Sequence, residues 1–268
     1  MTLAMGSAAV NPSPQTLRRA LEADEFFLVF QPIFELRGGR IVGVEALLRW
    51  RHRLAGVVPP AAFLGAAERI GPIVEIGGWV LHDACAQATR WQGPRTVAVT
   101  VNLCPRQLYA PALRGQVAHA LAASGLDPAS LVLEITEQAL VHDRRETAAV
   151  LAGLKELGVR ISFDYEGGGY SCLSQLPGLP VDAIKIDRAF ISGRESAAQA
   201  GVLIRLILEL GAQLGLDTAA EGIESDEQLE RLRALGCNHG QGLLLSEPLL
   251  PALVAELLGR PAGATRAA

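Results

Sequence analysis

Arg160 to Asp187 reads RISFDYEGGGYSCLSQLPGLPVDAIKID. Two short apolar runs in it, Ile161 to Phe163 and Ala183 to Ile186, have the length of buried strands, and each leads to an acid: Asp164-Tyr165-Glu166 after the first, Asp187 after the second. Between them lie Gly167, Gly168 and Gly169, residues that tolerate positive φ and let backbone approach a ligand or a neighbouring loop. Three glycines alone describe a surface turn. Carboxylates placed directly before them turn the reading towards a site.

Lys185, in the middle of the second run, strengthens that reading. Of the 24 basic residues only Lys155 and Lys185 are lysine, so a compact ammonium has been kept between two isoleucines in a chain that otherwise uses arginine. The planar guanidinium is no substitute where a single point charge must reach a phosphate or a water. The plain alternative is a lysine snorkelling from a strand end.

The rest of the chain repeats the pattern. Apolar strands are expected over Phe26 to Ile33, Ile41 to Trp50, Thr96 to Leu103, Leu131 to Thr136 and Asp217 to Ile223, with a last short element around Gln241-Gly242. Helices are expected over Thr16 to Ala23, after Pro59-Pro60, and over Ile73 to Trp91, Leu113 to Ser124, Glu146 to Leu157, Ala198 to Leu214 and Asp226 to Leu235. Alternation with short connections is the mark of parallel βα units, and at 268 residues an α/β, TIM-like (β/α)8 barrel fits best. Glu45, Asn102, Glu134, Asp164, Asp187 and Glu221 all fall at or near the end of an apolar strand. In a parallel barrel those ends converge on one face. A buried carboxylate such as Glu45 must be paired or metal-bound, and a salt bridge to Arg49 or Arg51 would be unusual this deep in an apolar strand. Oxygen donors without His or Cys select Mg2+, Mn2+ or Ca2+ over zinc, and paired divalent ions suit phosphodiester cleavage.

Composition sets the outer bounds. Half the residues are hydrophobic, enough for one large core, and the net charge of -4 with a pI near 5.8 argues against duplex DNA as partner. Cys85, Cys104, Cys172 and Cys237 lie far apart with no CxxC pair, so neither a zinc knuckle nor a disulfide framework is signalled and reduced cytoplasmic thiols are expected. The first residues lack a basic n-region and an apolar core, and no stretch runs apolar far enough to cross a membrane. Residues 1–14 and 259–268 are expected to be loose tails around one domain spanning 15–258.

Glu45-Ala46-Leu47, Val101-Asn102-Leu103, Leu133 to Glu137, Ile184 to Asp187, Ala220 to Glu224 and Gly236-Cys237 through Gln241-Gly242 also resemble, in order and spacing, the motifs of the EAL domain family of cyclic di-GMP phosphodiesterases. The resemblance covers Glu25 to Leu258. It implies a barrel with an antiparallel first strand that binds cyclic di-GMP and uses two divalent ions, Mg2+ or Mn2+, to cut one phosphodiester. It also implies a homodimer and leaves room for a protein effector. Carried over by residue, Glu45, Asn102, Glu134 and Asp164 would hold one ion; Glu221 and a second aspartate would hold the other, sharing Asp164, with Asp187 a further metal candidate. Lys185 and Glu221 would be catalytic, Lys185 steadying the attacking water. Gln31, Arg49, Glu224 and Gln241 would contact the nucleotide, and Glu137 would brace the glycine loop.

This chain departs from the family within its first-quoted stretch. The pattern Asp-Asp-Phe-Gly-Thr-Gly-Tyr-Ser is here Asp164-Tyr165-Glu166-Gly167-Gly168-Gly169-Tyr170-Ser171. A phenol with a pKa near 10 replaces a metal-binding aspartate, and it is a poor ligand for magnesium at neutral pH. Three readings follow: a cyclic di-GMP receptor with weak or no hydrolysis, which is the one expected; an active phosphodiesterase in which Glu166 stands in; and an interaction barrel without nucleotide.

Overall fold

Strand β1, Phe26–Glu35, turns at Gly39 (φ 66°) into β2, Ile41–His52, and the two pair antiparallel with Gln31 opposite Glu45. A short β3, Gly56–Val58, extends the hairpin. Then β4, Ala98–Leu103, β5, Leu131–Thr136, β6, Arg160–Tyr165, β7, Ala183–Ile186, β8, Asp217–Ala220, and β9, His239–Gly240, follow in parallel from β2 onwards. Strand β9 pairs antiparallel with β1, which closes an eight-stranded barrel with β3 outside the ring. The structure is a computed structural model and describes residues 12–93, 96–141, 144–167, 173–192 and 197–259. Gly168, Gly169, Tyr170, Ser171 and Cys172 of the first-quoted stretch, and most of both expected tails, lie outside those residues.

Several element ends differ from the sequence expectation, each for a local reason. The first helix runs Pro14–Glu22, because Ser13 accepts the Thr16 N–H (3.1 Å) and proline at the first position costs no hydrogen bond. Strand β6 continues past Phe163 to Tyr165, so Asp164 and Tyr165 belong to the strand and not to the loop after it. Strand β8 stops at Ala220 rather than Ile223: Gly222 has φ 77°, and a Cβ there would meet the Arg188 Cβ at 2.3 Å. Glu221 therefore sits just beyond the last ladder pair. The closing element is His239–Gly240, with Gln241 following it. After Pro59 the chain makes a 3-10 turn at Pro60–Ala62 before the helix Leu64–Ile70.

Alternation along β6 sorts its side chains. Ser162 and Asp164 share one face and Phe163 and Tyr165 the other. The second pair is fully buried in the hydrophobic core, Phe163 at 0% and Tyr165 at 2% exposure. The start of the same strand is pinned by the chain's other lysine: Lys155 Nζ pairs with Asp182 at 2.6 Å, and Asp182 also accepts the Ile161 N–H at 2.7 Å. These contacts fix the register that carries Asp164 to the mouth. Among the described residues no helix is long and apolar enough to cross a membrane.

Candidate active site

Lys185 is the centre of the arrangement. From the middle of β7 its ammonium donates to Glu134 Oε1 (2.8 Å) on β5 and Glu45 Oε2 (3.0 Å) on β2, and stands 3.2 Å from Glu221 Oε2 beyond β8. Asn102 on β4 donates to Glu45 Oε1 at 2.7 Å. Asp164 lies beside Lys185 in the β6–β7 ladder and within its field. Glu45, Asn102, Glu134, Asp164, Lys185 and Glu221 thus meet in one place. Glu45 pairs with Lys185, and among the described residues no salt bridge joins it to Arg49 or Arg51.

Four carboxyl groups face one ammonium, and the imbalance shows in their proton affinities. Burial pushes the Glu134 carboxyl up to about 8, against the pull of Lys185 and with repulsion from Glu45 and Asp164 adding to it. Burial likewise raises Asp164 to about 7, with the charges of Glu221 and Glu166 contributing. Burial also works against Glu45, but Lys185, Gln241 and Asn102 outweigh it and hold this acid below its usual value. Burial would lower Lys185, yet Glu134, Glu45 and Glu221 together raise it well above the ordinary lysine value.

The other nominated residues take more varied positions. Gln241 is buried and donates to Glu45 Oε2. Gln31 Nε2 donates to the Ser246 carbonyl (3.1 Å), and Arg49 Nη1 to the Leu48 carbonyl (2.9 Å). Glu224 is exposed, its N–H held by Gln228. Asp187 Oδ1 accepts the Ala189 N–H at 2.7 Å and caps the helix Arg188–Ile191. Glu137 Oε1 accepts the Gly167 N–H at 3.0 Å, tying the loop entrance to the end of β5. Tyr165 is stacked on Phe190, rings 5.4 Å apart and 15° from parallel. Sequence reasoning missed Phe190, because an apolar residue in a short helix carries no signal of what it touches.

The donor set suits a hard cation. Asp164 Oδ1 is buried and has no hydrogen-bond partner, which is costly unless something else meets it. As the side chains stand, no three His, Cys, Asp or Glu residues among those described are gathered around a point where an ion could sit. Glu45 and Glu134 are instead turned onto Lys185, so an ion must draw them off it. Because Glu134 and Asp164 hold protons near neutral pH, binding of Mn2+ should release roughly one proton per ion and tighten as pH rises from 6 to 8. Calorimetry at pH 7 in two buffers of different ionisation enthalpy checks this, and identical heats in both would contradict it.

With this geometry in view, the EAL domain family profile matches residues 14–248. The chain belongs to the EAL domain family. This EAL domain is 41% identical over 232 residues to an uncharacterized signaling protein of Caulobacter vibrioides, covering 87% of the chain and 28% of that protein. It is 40% identical over 235 residues to the bifunctional diguanylate cyclase/cyclic di-GMP phosphodiesterase MucR of Pseudomonas aeruginosa, covering 87% and 34%. The chain therefore spans about a third of the length of these relatives. Among solved structures, the PaMucR phosphodiesterase in complex with c-di-GMP superposes with a TM-score of 0.85 at 39% identity, over 90% of this chain and 98% of that one. The FimX EAL domain from Pseudomonas aeruginosa bound to c-di-GMP gives 0.77 at 31%, over 87% and 94%. EAL phosphodiesterases depend on divalent metal, and the side chains around Lys185 offer the oxygen donors that such ions take once drawn off the ammonium.

Proposed function

We propose that this EAL domain binds cyclic di-GMP and hydrolyses it slowly or not at all, acting as a receptor for the nucleotide. The observation that carries the reading is the place of Tyr165. Where the family pattern has a metal-binding aspartate, this chain has a phenol buried in the core and stacked on Phe190, facing away from Asp164. Divalent ions, when bound, supply positive charge to the phosphodiester. Losing a donor of that kind commonly costs on the order of 10² to 10³ in rate.

Binding needs less. Glu45, Asn102, Glu134, Asp164, Lys185 and Glu221 are all retained, and a groove of about 300 Å³ beside Asn102, walled by Leu47, Pro60, Leu64, Ile76 and Val80, is of the size and polarity that takes a base. Arg49 follows Leu48, a residue of the groove wall, and is half-buried with its guanidinium partly committed to the Leu48 carbonyl. Arg49→Ala should weaken cyclic di-GMP binding roughly tenfold to a hundredfold, the worth of a charge-assisted contact to phosphate. An unchanged isotherm would remove Arg49 from the site.

The active phosphodiesterase is the second reading, favoured by one observation: the charge of Glu166 is felt at Asp164. Titration with cyclic di-GMP in calcium, beside a magnesium and manganese turnover assay, separates the two. A homodimer acting through a protein effector in the cytoplasm completes the proposal, with Val202 (67% exposed) and Leu206 (42%) on the helix Ala197–Leu214 as apolar contact points.

A further inference from the structure

A parallel barrel ordinarily fills its axis with layers of branched side chains. In this chain the lumen-facing positions nearer the strand starts are mostly small: Gly43 on β2, Ala98 and Thr100 on β4, Ser162 on β6, Ala183 on β7 and Ala219 on β8. They leave a cavity of about 100 Å³ whose inner end is formed by Glu134, Lys185 and Gln241. Arg160 and Asp217, 39% and 44% exposed at the first positions of β6 and β8, also line it, so it opens at the strand starts, opposite the mouth.

Two side chains meet this space without a partner. Thr100, 5% exposed, and Ser162, 6%, both line the cavity, and among the described residues neither hydroxyl makes a hydrogen bond. Hydroxyls buried in this way are costly unless something that enters the cavity meets them. The charged groups around them are already engaged: Arg160 with Asp217 at 2.6 Å, Asp182 with Lys155 at 2.6 Å, and Lys185 with Glu45, Glu134 and Glu221. An ion would shed its water there and find no free counter-charge, so the space favours a neutral occupant. One water needs roughly 10–15 Å³ of such a volume, which sets the occupant at about four to seven non-hydrogen atoms.

We propose that this axial cavity is a binding site for a small neutral amide or alcohol, entered from the strand starts and held by the hydroxyls of Thr100 and Ser162. The alanine walls take its alkyl part. Ser162 is paired with Glu134 in the β5–β6 ladder and Ala219 with Lys185 in the β7–β8 ladder, so the occupant lies against the candidate active site without using its mouth. Occupancy and binding at the mouth can therefore influence each other, and equally in both directions. Thr100, Ser162 and Ala219 are not residues of the candidate active site, and the proposal stands or falls apart from the receptor reading.

The test is saturation-transfer NMR with acetamide titrated into the whole chain, without metal or nucleotide. The wild type should give a saturable signal with a Kd in the millimolar range, within reach of a ligand this small. Ala219→Leu, which fills the cavity, should abolish the signal. Thr100→Val combined with Ser162→Ala keeps the shape of the wall and removes both hydroxyls, and should raise the Kd roughly tenfold. Thermal melts verify the fold, and if Ala219→Leu melts low the paired change decides alone. No saturation by about 100 mM acetamide in the wild type, a signal that survives Ala219→Leu in a folded protein, or an unchanged Kd in the paired variant overturns the proposal. Failure to bind cyclic di-GMP would leave it untouched and defeat the receptor reading alone.

Discussion

Tyr165→Asp combined with Glu166→Phe should raise magnesium-dependent turnover of cyclic di-GMP by roughly a hundredfold or more, the scale on which a restored electrostatic donor acts. The double change puts the carboxylate back at the family position and returns an aromatic ring to this stretch. Tyr165→Asp alone should gain less, for two reasons. It removes the ring stacked on Phe190 and asks a charged group to leave a site that is 2% exposed. It also leaves Glu166 adding negative charge beside Glu137 and Asp187. Glu166→Gln should change turnover little, because turnover is already low. If Glu166 instead serves as a full catalytic ligand, the pattern inverts: the wild type is fast, Glu166→Gln is dead, and the double change brings no gain.

The second large effect is expected at Lys185. Lys185→Met removes the ammonium that faces Glu45, Glu134 and Glu221, leaving buried carboxyl groups without compensation, a change that typically costs about 3–5 kcal/mol. The pH dependence follows from the direction of the shifts. A carboxyl whose folded-state pKa is raised keeps a proton that the unfolded chain has released, so stability falls as pH climbs from the ordinary carboxylate range towards the folded value. Glu134 and Asp164 already behave so in the wild type, with values of about 8 and 7. Glu45, held low chiefly by Lys185 against burial, joins them in the variant. The deficit of Lys185→Met relative to wild type should therefore be small near pH 5 and large at pH 8, and Mn2+ should recover part of it by taking the ammonium's place. Urea melts at both pH values, with and without Mn2+, measure this; a deficit independent of pH would show that the lysine stabilises by packing alone.

The barrel was legible because its strands are apolar runs that lead to acids, and that pattern has one simple solution in a parallel fold. Glu45, Asn102, Glu134 and Lys185 could be nominated from the same pattern, since a polar residue inside an apolar strand needs a partner. What the sequence did not disclose is pairing. Nothing in it says that Gln241 supports Glu45, that Asp187 spends an oxygen on the Ala189 N–H, or that Phe190 receives Tyr165. These are contacts between segments far apart in sequence or within a single turn, and hydropathy is blind to both. The end of β8 was missed because Gly222 breaks the strand through its close approach to Arg188, which no local pattern records. The extension of β6 to Tyr165 mattered most, for it decides which side of the strand the phenol takes.

The central claim, a nucleotide-binding EAL domain with little turnover, is tested most directly by titrating cyclic di-GMP into the unaltered chain by calorimetry in calcium, while the same preparation is assayed for cleavage in magnesium and in manganese. The account predicts a saturable binding isotherm in calcium and, in magnesium, a rate at least about a hundredfold below that of the Tyr165→Asp, Glu166→Phe variant. Rapid magnesium-dependent cleavage by the unaltered chain, or no binding at millimolar nucleotide, would contradict it.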